Sequence, residues 1–396
     1  MKKILLLLIA TWIIAGEVTL YRDYAFVKEI RQIQDHIISP LPKTIDPQSL
    51  YIQNLKGYYR FIPGGFNRSK LLQTLLHKEV EFEYDKKLKK GRVISIDPLI
   101  IQGDRVYFDV SFTNLRIPKL AIQTLPSLYL QSPSNGNTEL MYLMRGISYS
   151  TIYSATLAKS LHIQGYIRIQ NSSGYEPKDV KLSFVAGDMR RPLRYRTKTI
   201  QIAAAPLAET KEVQGVYKFT LPKRWDLQDG IFIPFVRIEV PYTIEYRADF
   251  YNLGLNSRKQ KFRQILHFTP PKPLPGGQMS IYKDNLFLST IKLLHSAPNM
   301  QQSLRLFNDF DLEVERITKE YKSSEKRFFA KMHYIVRNPK KERVQVRIYE
   351  HLPWSNMQIQ SNQNFHQVDA TTIYFTVEIP PKKQIAFDVS YLYRKK

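Results

Sequence analysis

Short apolar runs that alternate residue by residue with polar ones recur along this chain. A period of two marks a strand with one face on a core and the other toward water. Leu161, Ile163, Gly165, Ile167 and Ile169 alternate with His162, Gln164, Tyr166, Arg168 and Gln170. Val344, Val346 and Ile348 alternate with Gln345, Arg347 and Tyr349. Ile373, Phe375, Val377 and Ile379 alternate with Tyr374, Thr376 and Glu378. Val106, Phe108, Val110 and Phe112 have the same spacing and predict a strand that turns those four inward. The 25 Tyr and 21 Phe suit pleated, half-buried surfaces. Many such strands, divided by Pro, Gly and Asn, predict a mainly β, multi-domain chain of antiparallel β-sandwiches.

Helix signals are few. Asn67 or Ser69 can cap a helix through His77, with Leu71, Leu72, Leu75 and Leu76 as its apolar face, so a short helical element is expected near 69–79. A second helix candidate precedes Arg305, with Pro298 against it. A chain of 396 residues exceeds one ordinary core. Ser132–Asn137 is a turn-rich break, and Pro270–Gly277 cannot sit in a central strand. These breaks predict an N-terminal β domain over 17–135, a central sandwich over 136–275 and a C-terminal immunoglobulin-like sandwich over 276–396.

Two lysines at the start precede an apolar run from Ile4 to Ala15. At about 12 residues it has the length of a secretory signal core, short of the roughly 20 needed to cross a bilayer. The expectation is a signal peptide over 1–16, a mature N-terminus at Gly16 or Glu17, and a periplasmic or cell-surface protein. An uncleaved N-terminal anchor is the alternative. The chain has no Cys, which excludes disulfides, thiolate metal sites and Cys nucleophiles.

Chemistry-bearing patterns are sparse. The eight His show no HxH, HxxxH or HExxH spacing, and no GxSxG or phosphate-binding glycine loop occurs. No metal or cofactor is expected, and the balance leans away from an enzyme. Asp309 and Asp311, two apart around Phe310, can share a strand face for acid–base work, or meet Arg305 or Arg316 as structure. The formal net charge of +24 attracts anionic polymers or membrane faces, or serves solubility. Its densest run is Arg190, Arg191, Arg194, Tyr195, Arg196 and Lys198, where guanidinium and ring groups interleave as a candidate binding segment.

Residues 138–191 carry a likeness. Leu140–Tyr149 ends in a glycine and aromatics, Asn171-Ser-Ser-Gly174 forms a turn, and Val185-Ala-Gly-Asp188 closes a strand. Together with Pro273-Leu-Pro-Gly-Gly277, Phe310-Asp311, Arg337-Asn338, Glu17–Ala25 and Leu41–Leu50, they resemble the bacterial domain-of-unknown-function 4139 family, whose longer members are called mucoidy inhibitor A-like. This chain lacks their coiled-coil insert and offers only a short helix over 67–90. The resemblance implies the fold and a link to envelope polysaccharide; it brings no catalytic residues. Gly174 and Gly187 read as turn geometry, and Asn171 as a residue that bonds its own turn.

Two readings follow. One is an exported, non-catalytic binding or structural module that contacts an anionic envelope polysaccharide, lipid headgroups or another envelope protein, with no nucleic acid expected. The other is an envelope hydrolase whose site is assembled from distant loops, such as Arg190–Arg196, Asp309–Asp311 and His351. A deep pocket favours the enzyme, and shallow surfaces lined by Tyr and Arg favour binding.

Overall fold

The structure, a computed structural model, describes residues 14–65, 68–116, 125–131, 136–187, 208–213, 215–325 and 327–394. It is mainly β, with several antiparallel-rich sheets and, among the described residues, one α-helix. The chain divides into two compact units: residues 1–150, 168–185 and 218–232 form one, and residues 151–167, 186–217 and 233–396 the other.

In the first unit, strand Ile14–Leu20 pairs antiparallel with Ala25–Ile33 and parallel with Val180–Ala186. Ala25–Ile33 pairs in turn with Gly136–Met144, so residues far apart in sequence become sheet neighbours. Here Glu29 and Arg31 are buried together: Arg31 Nε donates to Glu29 Oε1 at 2.8 Å, and Tyr142 and Tyr175 donate to the same carboxylate at 2.8 and 2.7 Å.

The same unit holds a small five-stranded sheet capped by helix Arg68–Leu75. Leu71, Leu72 and Leu75 are buried with Val80, Phe82, Val93 and Ile101, and Leu76 packs at the edge, as the leucine spacing predicts. The strand expected over 106–112 is different. Only Val106–Tyr107 is strand, Asp109 turns the backbone at φ 49°, and Phe112–Asn114 is a 3-10 turn. The inward residues are Tyr107, 2% exposed, and Val110, with Phe112 packed at the core's edge as alternation predicts, while Val106 and Phe108 face solvent at 43% and 71%. Tyr107 turns inward because its ring packs edge-on to Phe82 and Tyr84 and its hydroxyl donates to Asp104.

The second unit is dominated by a nine-stranded sheet. Its strands are β1 Tyr242–Tyr251, β2 Arg258–Phe268, β3 Gln302–Ser323, β4 Arg327–Asn338, β5 Val344–His351, β6 Gln358–Ser361, β7 Phe365–Gln367, β8 Thr372–Ile379 and β9 Lys383–Arg394. Their order is β6-β9-β4-β3-β2-β1-β5-β8-β7. Neighbours run antiparallel except β1 and β5, which are parallel. The sheet curls round one core, so that Tyr334 of β4 meets Phe375 of β8 at 5.8 Å and Phe387 of β9 at 4.9 Å. The alternations in β5 and β8 hold as predicted: Val346, Ile348, Phe375 and Ile379 are fully buried. The Pro270–Gly277 stretch interrupts the chain without separating the sheet, because β1 and β2 precede it and the rest of the sheet follows.

Residues before Arg305 form no helix. Gln302 and Ser303 pair with Phe268 and His267 at the start of β3, and the ladder takes the segment. A fully buried ion pair lies in this core, where Arg316 Nη1 donates to both Glu350 oxygens at 3.0 and 2.8 Å, Tyr334 donates to Glu350 at 2.6 Å, and the guanidinium covers Phe250 at 4.7 Å.

Candidate functional site

The basic segment Arg190, Arg191, Arg194, Tyr195, Arg196 and Lys198 lies outside the described residues, as do residues 1–13 of the expected signal. Ile14, Ala15 and Gly16 open strand Ile14–Leu20. Among the described residues no helix is long and apolar enough to cross a membrane, and no group of His, Asp and Glu is placed to hold a metal ion.

Asp309 and Asp311 are not brought together. Between β2 and β3 the register moves from Arg263 opposite Asn308 to Lys261 opposite Glu313, so residues 309–312 bulge out. Buried Asp309 closes the bulge by accepting the Asp311 and Leu312 N–H groups at 3.0 and 2.9 Å. Its other oxygen takes Lys340 at 2.7 Å and Gln264 at 2.8 Å. Burial pushes this carboxyl up, but the Leu312 N–H and Lys340 outweigh it and hold the carboxyl below its ordinary range. The partner is therefore Lys340, not Arg305 or Arg316, and Asp311 and Phe310 stand exposed at the tip.

His351 does join a cluster. On β1 and β5, every second residue points away from the core. The parallel register sets Arg247 beside Arg347, Asp249 beside Tyr349, and Tyr251 beside His351, and β8 adds Tyr374 opposite Tyr349. Asp249 is buried at the centre of this outer face. Arg247 donates to both of its oxygens at 2.7–3.1 Å, His351 Nε2 lies 3.0 Å from Oδ1, and Arg263 donates from β2. Burial alone would raise the Asp249 carboxyl, but hydrogen bonds from Arg247 and His351 and the nearby guanidinium charges hold it below the ordinary carboxylate range. A carboxylate so saturated is an anchor for arginines, not a proton donor.

Around it the rings and guanidiniums stack. Arg247 covers Tyr349 at 3.7 Å and Arg347 covers Tyr374 at 5.2 Å. His366 of β7 stacks on Tyr374 at 5.1 Å, and His351 on Tyr251 at 4.3 Å. Tyr251 is 52% exposed, and the Arg347 side chain 41%. The result is a shallow, cationic and aromatic ladder crossing four strands.

Next to it lies a polar chain: Ser303 Oγ is 2.8 Å from His267 Nδ1, and His267 Nε2 is 2.8 Å from Glu245 Oε2, with Arg347 at 3.5 Å from the same oxygen. His267 and Ser303 sit directly opposite in register, so the contact is a cross-strand pair.

The residues of the family likeness sit at strand ends. Asn171 Oδ1 accepts the Ser173 N–H at 3.1 Å, and its amide donates to the Tyr175 and Leu227 carbonyls. Gly174 has φ 70°, and Gly187 has φ 142° with a Cβ position 2.6 Å from Val216. Asn338 does the same work as Asn171: its amide donates to the carbonyls of Glu342, Ile379 and Pro380. No protein-family model matches the chain, and no curated protein matches it.

Proposed function

We propose that this chain is an exported, non-catalytic binding module of the cell envelope that holds an anionic polymer against the outer face of its nine-stranded sheet. The observation that carries the reading is the ladder formed by Tyr251, His351, Arg247, Arg347, Tyr374 and His366. Guanidiniums on aromatic faces meet carboxylates and phosphates in a forked geometry, while exposed rings pack on the apolar faces of sugars. The surface is open, so a long chain can lie along it without threading an end. The net charge of +24 draws such a polymer from a distance. The likeness to the domain-of-unknown-function 4139 family and the signal-like N-terminus support the same location.

The test is retention of the mature protein on an acidic polysaccharide matrix. Changing Arg347, Tyr374 and Tyr251 to Ser together is expected to shift elution to clearly lower salt. Wild-type retention is expected to fade near about 0.5 M salt, where the screening length is about 4 Å. Changing Arg190, Arg191, Arg194 and Arg196 to Ser forms a second arm that assigns the contribution of that segment. Unchanged elution of the ladder variant with its fold intact overturns the reading. Mass spectrometry of the native protein is expected to find Gly16 or Glu17 at its start.

The Ser303–His267–Glu245 chain favours a second reading, an envelope hydrolase with Ser303 as nucleophile and His267 as base. A fluorophosphonate probe that labels the wild type and not Ser303→Ala supports it; absence of labelling ends it.

A further inference from the structure

At the end of the first unit's strands lies an open groove of about 560 Å³, walled by the charged Arg22, Asp23, Arg168 and Asp229 with Ser148, Gln170 and Ser172 between them. Its walls come from four separate stretches: the turn after Ile14–Leu20, the turn at Gly146, the end of strand Leu161–Asn171, and the loop before Phe232. Three of these stretches were singled out in the sequence for their likeness to one family.

The groove is rigidly framed. The Asn171 N–H donates to Asp229 Oδ1 at 2.8 Å, and the Ser172 N–H to the Gly146 carbonyl at 2.7 Å. Gly146 has φ 82°, and a Cβ there would lie 3.0 Å from the Ser173 backbone. The Tyr21 N–H donates to the Tyr24 carbonyl at 2.8 Å and fixes the turn that carries Arg22. The two guanidiniums, by contrast, are uncommitted. Neither Arg22 nor Arg168 has a carboxylate within ion-pair distance among the described residues; Arg168 rests over the half-exposed ring of Phe232 at 5.8 Å. A framed polar groove with two guanidiniums that no carboxylate contacts among the described residues, two aspartates, side-chain hydroxyls and amides, and an aromatic face on one wall matches a ligand that carries both an anion and several hydroxyl groups.

We infer that this groove binds an anionic sugar unit, with Arg22 and Arg168 taking its carboxylate or phosphate and Ser148, Gln170, Ser172 and Asp229 meeting its hydroxyls. The site is separate from the sheet face proposed above and does not depend on it. It recognises a single unit, where the ladder holds a length of polymer.

The experiment is calorimetric titration of the full mature chain with trigalacturonate, with glucose 1-phosphate and with neutral maltotriose. At least one of the two anionic sugars is expected to bind, and maltotriose is not. Binding of the uronate alone assigns a carboxylate ligand; binding of the phosphate alone assigns a phosphorylated one. The double change Arg22→Ser and Arg168→Ser is expected to weaken binding by about tenfold or more, since both residues give charge-assisted hydrogen bonds. Both side chains are exposed, so the fold tolerates the change, and circular dichroism checks it. Lys at both positions is expected to restore part of the affinity, because charge returns without the fork. No binding of either anionic sugar, equal binding of maltotriose, or full affinity in the Ser pair overturns the inference.

Discussion

Arg316 and Glu350 are paired, yet they are not equivalent when separated. A guanidinium keeps its proton at any relevant pH, whereas a stranded carboxylate can take one up. Burial raises the Glu350 carboxyl above its ordinary value of 4.5 even with Arg316 and Tyr334 pulling it down. With the folded value raised, the stability linked to this group is complete below about pH 4.5 and declines as pH rises through the folded value. Arg316→Met removes the main restraint and is expected to cost about 3–5 kcal/mol at neutral pH. Part of that loss is expected to return as the solution is acidified and the raised Glu350 carboxyl takes up a proton. Glu350→Gln strands the cation and is expected to show no such recovery. Urea midpoints at neutral and at acid pH check both variants. Asp104 behaves in the opposite sense. Hydrogen bonds from Tyr107 first, then Lys89, lower its carboxyl from 3.8 to about 2. Its linked stability is therefore present above about pH 4 and lost as pH falls toward 2. An NMR titration of the Asp104 side chain is expected to give a midpoint near that lower value, and Tyr107→Phe is expected to move it upward.

At the scale of elements, strand ends are fixed by side chains that replace missing ladder partners. Asn338 satisfies three carbonyls and also accepts the Lys340 N–H at 3.0 Å. Asn338→Ala leaves these groups buried and is expected to lower unfolding stability by at least about 1–3 kcal/mol, with Asn338→Asp only partly better because it cannot donate. Denaturant melts order the three proteins. Periodicity made much of this level readable: Ile163, Ile167, Val346 and Phe375 are buried where alternation puts them, and the leucines of helix Arg68–Leu75 face its core. It failed at 106–108 and held at Val110, because a single left-handed residue, Asp109, shifts the alternation between them, and a tyrosine with a carboxylate partner outranks a valine for the inner position. It also could not foresee that Asp309 closes a bulge, since a bulge is a property of two strands. The Asp249 cluster was hidden for the same reason. His351 lies 102 residues away from Asp249, and only the parallel register of β1 and β5 sets them side by side. Arg22 and Arg168 are likewise joined by topology, not by spacing.

For the molecule as a whole, sequence order and spatial order part company in the second unit. β9 does not close an edge: it lies between β6 and β4 and pairs with β4 from Arg327↔Arg394 to Asn338↔Lys383. It also supplies Phe387, Val389 and Tyr391 to the core. A chain stopped after residue 382 is therefore expected to expose the full edge of β4 and to aggregate, not to lose only its tail. Light scattering and size-exclusion chromatography of the truncated protein check this, and a soluble monomer with native circular dichroism contradicts it. A ribosome makes a polypeptide in one direction and delivers β9 after all the strands it must join. Until then the sheet is assembled with an empty slot, and two rows of backbone donors and acceptors wait for a segment still unmade. A second unit still waiting for β9 is thus expected to be open to a neighbouring chain, whose strand can take the vacant place.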